Sequence, residues 1–166
     1  MPSSKPKPWA GFRSVLCPVD FSEHSRQALR YAEAMAGRSG GAMTVTYAND
    51  PLLIAAAAAA LHDRQVAKRS LRELESFVNQ TLTTNRKRLT CRVSIGTPSD
   101  QIMKAASSRR FDLIVMGTHG RGAVSHLLMG SVAERVVRTA TCPVLTVHHP
   151  EHEFVIPDAL VAVARA

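Results

Sequence analysis

The sequence predicts a single doubly wound α/β domain, a five-stranded parallel sheet with helices on both faces. Three observations carry that expectation. Short apolar runs alternate with segments of helical periodicity between residues 14 and 147, which implies parallel pairing through crossover helices. The fourth run, Phe111-Asp-Leu-Ile-Val-Met-Gly117, is apolar almost throughout, as a central strand covered on both faces should be. Aromatic residues make up only 5% of a chain that is 45% hydrophobic. Val, Leu, Ile, Ala and Met must therefore fill the core, which suits a helix-covered sheet better than an aromatic-rich sandwich. At 166 residues one such domain is expected.

Each element follows from local chemistry. Residues 1–12, rich in Pro, Lys and Ser, read as a flexible tail, and residues 13–148 as the domain. Ser14 to Val19 is the first strand, with Pro18 near its end, where a missing ladder N–H is tolerated. Ser22 can cap a helix running to about Arg38, with Ala28, Leu29, Ala32, Met35 and Ala36 on one face. Gly37, Gly40 and Gly41 end it. Ala42 to Ala48 is the second strand, followed by the breaker Asn49-Asp50-Pro51. Residues 52–60, Leu-Leu-Ile and six alanines, favour helix but carry little information; a helical extension and a mobile cover both fit. From Leu61 to about Leu82, Val66, Leu71, Leu74, Phe77 and Val78 recur at helical spacing.

Leu89 to Ile95 is the third strand, ended by Gly96-Thr-Pro98. Ser99 can cap the next helix, whose apolar face is Ile102, Met103, Ala105 and Ala106. The fourth strand, Phe111 to Gly117, leads into a glycine-rich segment. Ser131 then starts a helix with Val132, Ala133, Val136, Val137 and Ala140 facing inward, and Pro143 to Val147 is the fifth strand. Residues 149–166 read as a tail with a weak helix around Ala159–Ala164. In parallel sheets of this kind ligands bind beyond the C-terminal strand ends, where the winding reverses. Two strand ends carry suggestive chemistry, Asp20 after the first and Gly117 after the fourth.

Composition narrows the function. No apolar run reaches the roughly 18 residues of a membrane span, and the Met-Pro-Ser-Ser-Lys-Pro-Lys-Pro start lacks the apolar stretch of a secretory signal. Cys17, Cys91 and Cys142 are odd in number and widely spaced, which points to reduced, buried thiols in a cytoplasmic protein. The formal net charge of +8 would suit a polyanion or a phosphate site. The charge is dispersed over Lys5, Lys7, Arg86-Lys87-Arg88 and Arg109-Arg110, with no interleaved aromatics to stack on bases. A solvated surface is therefore preferred to a nucleic-acid partner.

The chemistry concentrates in Gly117-Thr118-His119-Gly120-Arg121 and onward to Gly130-Ser131. The spacing is Gly, two residues, Gly, nine residues, Gly-Ser. Glycines at a strand end permit close approach of a ligand to the backbone, and their N–H groups can form an anion-binding concavity. Gly130-Ser131 opens a helix, where unpaired N–H groups and the dipole favour phosphate. The dipole alone supplies about 0.3–1 kcal/mol, so several donors must act together. The same glycines would also serve a tight βα connection with no ligand. Neither Gly-x4-Gly-Lys-Ser/Thr nor Gly-x-Gly-x2-Gly is present, and glycine chemistry leaves both readings open.

These residues resemble the universal stress protein family, whose ATP-binding members show Gly-x2-Gly-x9-Gly-Ser/Thr at this location. The likeness continues through Gly130-Ser-Val-Ala-Glu-Arg-Val136 and Cys142-Pro-Val-Leu145, and includes Pro18-Val-Asp20-Phe-Ser22 and Gly96-x-Pro98. It spans residues 12–148. The resemblance implies the strand order 3-2-1-4-5, with the winding reversal between strands one and four. It implies that Pro18, Val19 and Asp20 line the ribose and adenine side, that the Ala48 backbone faces adenine, and that Gly117, Thr118, Gly120, Gly130, Ser131 and Val132 hold ribose and phosphates. His119 and Arg121 are further phosphate candidates within the motif. The family's usual residue at the Ala48 position is larger. ATP or a related adenine nucleotide is the implied cofactor, with Mg2+ or Mn2+ on its phosphates, and a homodimer through Pro143–Val147 is the implied assembly.

Other candidates are weaker. His148-His149-Pro150-Glu151-His152 reads as solvated tail rather than a metal site, and no metal ligand is assigned. Cys17, near Asp20, reads as a buried thiol. No general base or catalytic lysine falls near the motif, so no catalytic residue is assigned. The leading expectation is an ATP-binding regulatory or stress-response protein. Weak ATP hydrolysis or autophosphorylation, and a nucleic-acid-associated basic protein, are the alternatives.

Overall fold

The computed structural model describes residues 11–61, 65–83, 88–108, 111–119 and 129–148. Ten elements follow one another: β1 (Ser14–Pro18), α1 (Glu23–Arg38), β2 (Ala42–Asn49), α2 (Pro51–Leu61), α3 (Val66–Thr81), β3 (Leu89–Ile95), α4 (Pro98–Ser108), β4 (Leu113–Gly117), α5 (Ser131–Thr139) and β5 (Val144–Val147). The strands form one sheet in the order β3-β2-β1-β4-β5, and every neighbouring pair is parallel.

Alternation along the strands divides the core in two. Val15, Cys17, Met43, Val45, Leu113, Val115 and Val147 point to the face covered by α1 and α3, where they meet Ala28, Leu29, Ala32, Leu74, Phe77 and Val78. Phe12 also packs against this core. Leu16, Ile114 and Met116 point to the other face and meet Ile102 and Ala106 of α4 and Ala133 and Val136 of α5. β1 and β4 lie at the centre because both of their faces are apolar; Val15, Leu16, Ile114 and Val115 have no exposed surface.

Several boundaries differ from the sequence expectation for identifiable reasons. β4 begins at Leu113 rather than Phe111. Phe111 is drawn into the second core, while the Asp112 carboxylate accepts from the N–H groups of Arg13 and Ser14 at 2.7 and 3.0 Å. α4 starts at Pro98, using the fixed φ of proline at the first helical position. Ser99 therefore lies inside the helix, 4% exposed, rather than at its cap. Val137 in α5 is 45% exposed, so the inward face of that helix is narrower than periodicity implied. The uninformative alanine run is helical: Asp50 Oδ1 accepts from Leu52 N–H at 2.8 Å, so the turn-forming Asp50-Pro51 pair starts α2. Cys17 is buried, whereas Cys91 and Cys142 are half-buried. The C-terminal helix expected around Ala159–Ala164, and both tails beyond residues 11 and 148, lie outside the described residues.

Candidate functional site

The winding reverses between β1 and β4, whose C-terminal ends are neighbours. Pro18 closes β1, and the chain runs on extended for one more residue, with Val19 N–H donating to the Thr46 carbonyl at 2.9 Å. Asp20 then turns the chain into α1. Its Oδ1 accepts from the Ser22 N–H at 3.1 Å and from the Ser22 hydroxyl at 2.5 Å. Ser22 in turn caps α1 by accepting from the Ser25 N–H at 3.2 Å. Between them Phe21 adopts a φ of 65°, a left-handed conformation that costs a side-chain-bearing residue about 1–2 kcal/mol. Its ring is held 4.6 Å from Tyr47 and 5.4 Å from Phe77, and that packing offsets the strain.

Pro18, Val19, Asp20 and Ala48, chosen from the sequence, line one recess of about 50 Å³ with Thr46, Tyr47, Pro98, Gln101 and Ile102. It lies between the ends of β1 and β2 and the first turns of α4. Small-molecule pockets occupy roughly 300–1,000 Å³, so this recess forms only the inner part of a ligand site. A larger concavity of about 580 Å³ opens over β2 and β3, with Lys68, Arg92, Ser94 and Lys104 in its wall. Neither Asp20 nor Gly117 lines it. Position rather than size favours the recess, because ligands in open α/β sheets sit at the strand ends.

The other half of the predicted site stands at the end of β4. Gly117 closes the strand, and Thr118 continues it by donating its N–H to the Val147 carbonyl at 2.9 Å. Gly130 N–H returns to the Thr118 carbonyl at 2.7 Å, which seats the N-terminus of α5 against the end of β4. The approach is close: a Cβ on Gly130 would come 3.2 Å from the Thr118 carbonyl oxygen. Among the described residues no side-chain hydrogen bond caps the first turn of α5, whose N–H groups, from Ser131 and Val132 onward, carry the positive end of the dipole. Gly120 and Arg121 lie outside the described residues.

His119 has a setting that its place in the motif did not predict. It is only 9% exposed, and its Nδ1 lies 3.0 Å from the Thr118 hydroxyl. The same hydroxyl lies 3.1 Å from Nδ1 of His148, directly after β5. His24, in the first turn of α1, completes a triangle with ring centroids 5.4 Å from His119 and 5.9 Å from His148. Sequence reasoning missed this group because residues 24, 119 and 148 form no motif. Their shared position just past β1, β4 and β5 was the available signal.

Neither Cys17, in β1, nor Cys142, just ahead of β5, is an activated thiol. Burial pushes the Cys17 thiol far up from its ordinary value, and burial followed by the Asp112 charge raises that of Cys142. Cys17 thus serves the core beneath Pro18 rather than chemistry at the strand end.

Comparison with known proteins gives a consistent result. A family model described as the universal stress protein family matches residues 11–148. A Thermus aquaticus protein described as a universal stress protein in the QAH/OAS sulfhydrylase 3' region is 34% identical over 137 residues, 82% of this chain and 98% of its own. Among solved structures, universal stress protein UspA from Lactobacillus plantarum aligns with a TM-score of 0.66 at 28% identity, covering 82% of this chain and 98% of its own. A universal stress protein crystallised in complex with cAMP aligns with a TM-score of 0.60 at 25% identity, over 83% of this chain and 98% of its own.

Proposed function

Because the chain belongs to the universal stress protein family, we propose that it is a regulatory protein that binds an adenine nucleotide, ATP foremost. One observation carries the reading. The residues chosen at the ends of β1 and β2 share a recess, and beside the neighbouring β4 end α5 starts at a glycine, with no side-chain cap among the described residues. The recess receives the inner edge of the base, and the ribose lies at its mouth, with Asp20 as acceptor for ribose hydroxyls. The α5 N-terminus takes phosphate, since its N–H groups and dipole favour anions. The cAMP complex of a relative supports an adenine nucleotide as the ligand class.

Binding rather than turnover is the role. Asp20 is the only carboxylate among the described residues lining the recess, and its Oδ1 already accepts two hydrogen bonds from Ser22. Mg2+ or Mn2+ bound with the phosphates would neutralise their charge, with Asp20 the nearest candidate ligand on the β1 side. Residues 143–147 are proposed as a homodimer contact. β5 is an edge of the sheet and pairing with a second copy would cover it. Three free cysteines support a cytoplasmic setting.

Equilibrium binding of ATP, cAMP and AMP to the full chain and to Gly130→Val tests the site. Tight ATP binding to the parent chain and its loss in the variant are expected. Equal affinity in both, or none in either, would overturn the proposal. Sedimentation across a concentration series tests the dimer, which a concentration-independent monomer near 18.0 kDa would contradict.

A further inference from the structure

His24, His119 and His148 come from three separate parts of the chain. They meet because α1 follows β1, and β4 stands between β1 and β5. One ring nitrogen from each lies within 4.8 Å of the other two. This group sits on the side of β4 and β5 that α1 covers, whereas the recess lies against α4. It is therefore distinct from the recess proposed for the base, although Thr118 and His119 also belong to the segment read as the phosphate side.

We propose that these three histidines bind a first-row transition ion, with Zn2+ the best fit. Imidazole is a borderline donor suited to Zn, Cu, Fe and Ni, while Mg2+ and Ca2+ require oxygen. Zn–N bonds of about 2.0–2.1 Å in a tetrahedron put the nitrogens about 3.3 Å apart. The rings reach that geometry by closing about 1.5 Å or less per pair, within the range of side-chain rotation. His148 is exposed and His24 half-buried, so both can adjust and the ion has an entry path. His119, nearly buried, is the fixed point.

Thr118 supplies the support that such a site needs. Its hydroxyl has two lone pairs and can accept Nδ1–H from both His119 and His148, at the 3.0 and 3.1 Å separations observed. In that tautomer the lone pairs of both rings would stand on Nε2, as a metal-binding imidazole needs, with ring orientation fixed. Three protein ligands leave a fourth position for water or an exogenous donor. The competing reading is a stack of imidazoles held by Thr118 with no ion.

Titration of the chelator-treated full chain with Zn2+ alone, in competition with a chromophoric chelator, decides between them. One ion per chain is expected, and Co2+ should give the visible spectrum of a tetrahedral site. His24→Gln and His148→Gln replace partly exposed side chains, and their folding is checked by circular dichroism. Each should weaken Zn2+ binding about 100-fold or more, beyond the loss of a supporting partner. Thr118→Val should cost about 10–100-fold, with recovery and the parent Co2+ spectrum in Thr118→Ser. A His149→Gln/His152→Gln double variant should bind like the parent. Failure to bind one ion, unchanged binding in His24→Gln, or loss in the double variant would each overturn the proposal.

Discussion

Gly117 packs directly against His24: a Cβ added to the glycine would lie 2.8 Å from the His24 Cβ and 3.0 Å from its backbone carbonyl carbon. The end of β4 and the first turn of α1 are therefore as close as two backbones with one intervening side chain can be. The glycine that the motif reading assigned to ligand approach has this second partner inside the protein.

Gly117→Ala should accordingly destabilise the fold by about 1–3 kcal/mol, as overpacking does, because the obstructing atoms are backbone and Cβ rather than a flexible tip. For a chain of this length each kcal/mol lowers Tm by about 2–4 °C. Thermal unfolding followed by circular dichroism measures it, and an unchanged Tm would show that α1 moves aside freely.

Ser22→Ala should cost about 1 kcal/mol, since the variant loses the acceptor for the Ser25 N–H and the donor to Asp20. Ser22→Gly should lose only a few tenths by the cap criterion. Denaturant unfolding of both variants measures this; no loss in Ser22→Ala would deny the cap its role.

Leu16 lies in β1, fully buried beneath α4 and α5 with Ile114, Ile102 and Val136. Leu16→Ala should lose about 2–5 kcal/mol from transfer and cavity terms together. A loss below about 1 kcal/mol would mean that the core collapses around the gap.

Cys17 should resist alkylation in the native protein and react only on unfolding, because its buried thiol is held protonated. Its folded pKa lies above the unfolded value, so the stability it contributes is full below about pH 8.5 and declines as pH rises above that. The slope approaches about 1.4 kcal/mol per pH unit once the unfolded thiol is ionised. Cys17→Ala should flatten that part of the profile; urea midpoints between pH 8 and 10 provide the comparison.

Much of the architecture was legible before any coordinates. The strands at 14–18 and 113–117 announce themselves because strands covered on both faces of a parallel sheet are short apolar runs between breakers, while the half-exposed edge strands β3 and β5 are marked by β-branched residues between similar breakers. Ser22 was legible as a cap for a similar reason, since a hydroxyl ahead of an amphipathic run has one obvious use. The misread boundaries were those where tertiary contacts outweigh local preference. Asp112 is pulled from strand to clamp by the Arg13 and Ser14 N–H groups, and Val137 is left exposed while Ala133 and Val136 fill the contact with the sheet.

The sequence by itself determined the alternation of strand and helix, the glycine spacing at the end of β4, and the acid at the end of β1. All are properties of neighbouring residues. Only the tertiary structure decided that Pro18, Val19, Asp20 and Ala48 share one recess and that Gly117 bears on His24. It also decided that His24, His119 and His148 form a cluster. Those relationships join residues as distant as His24 and His148, and sheet order creates them. Spacing along the chain carries no record of which strand ends become neighbours.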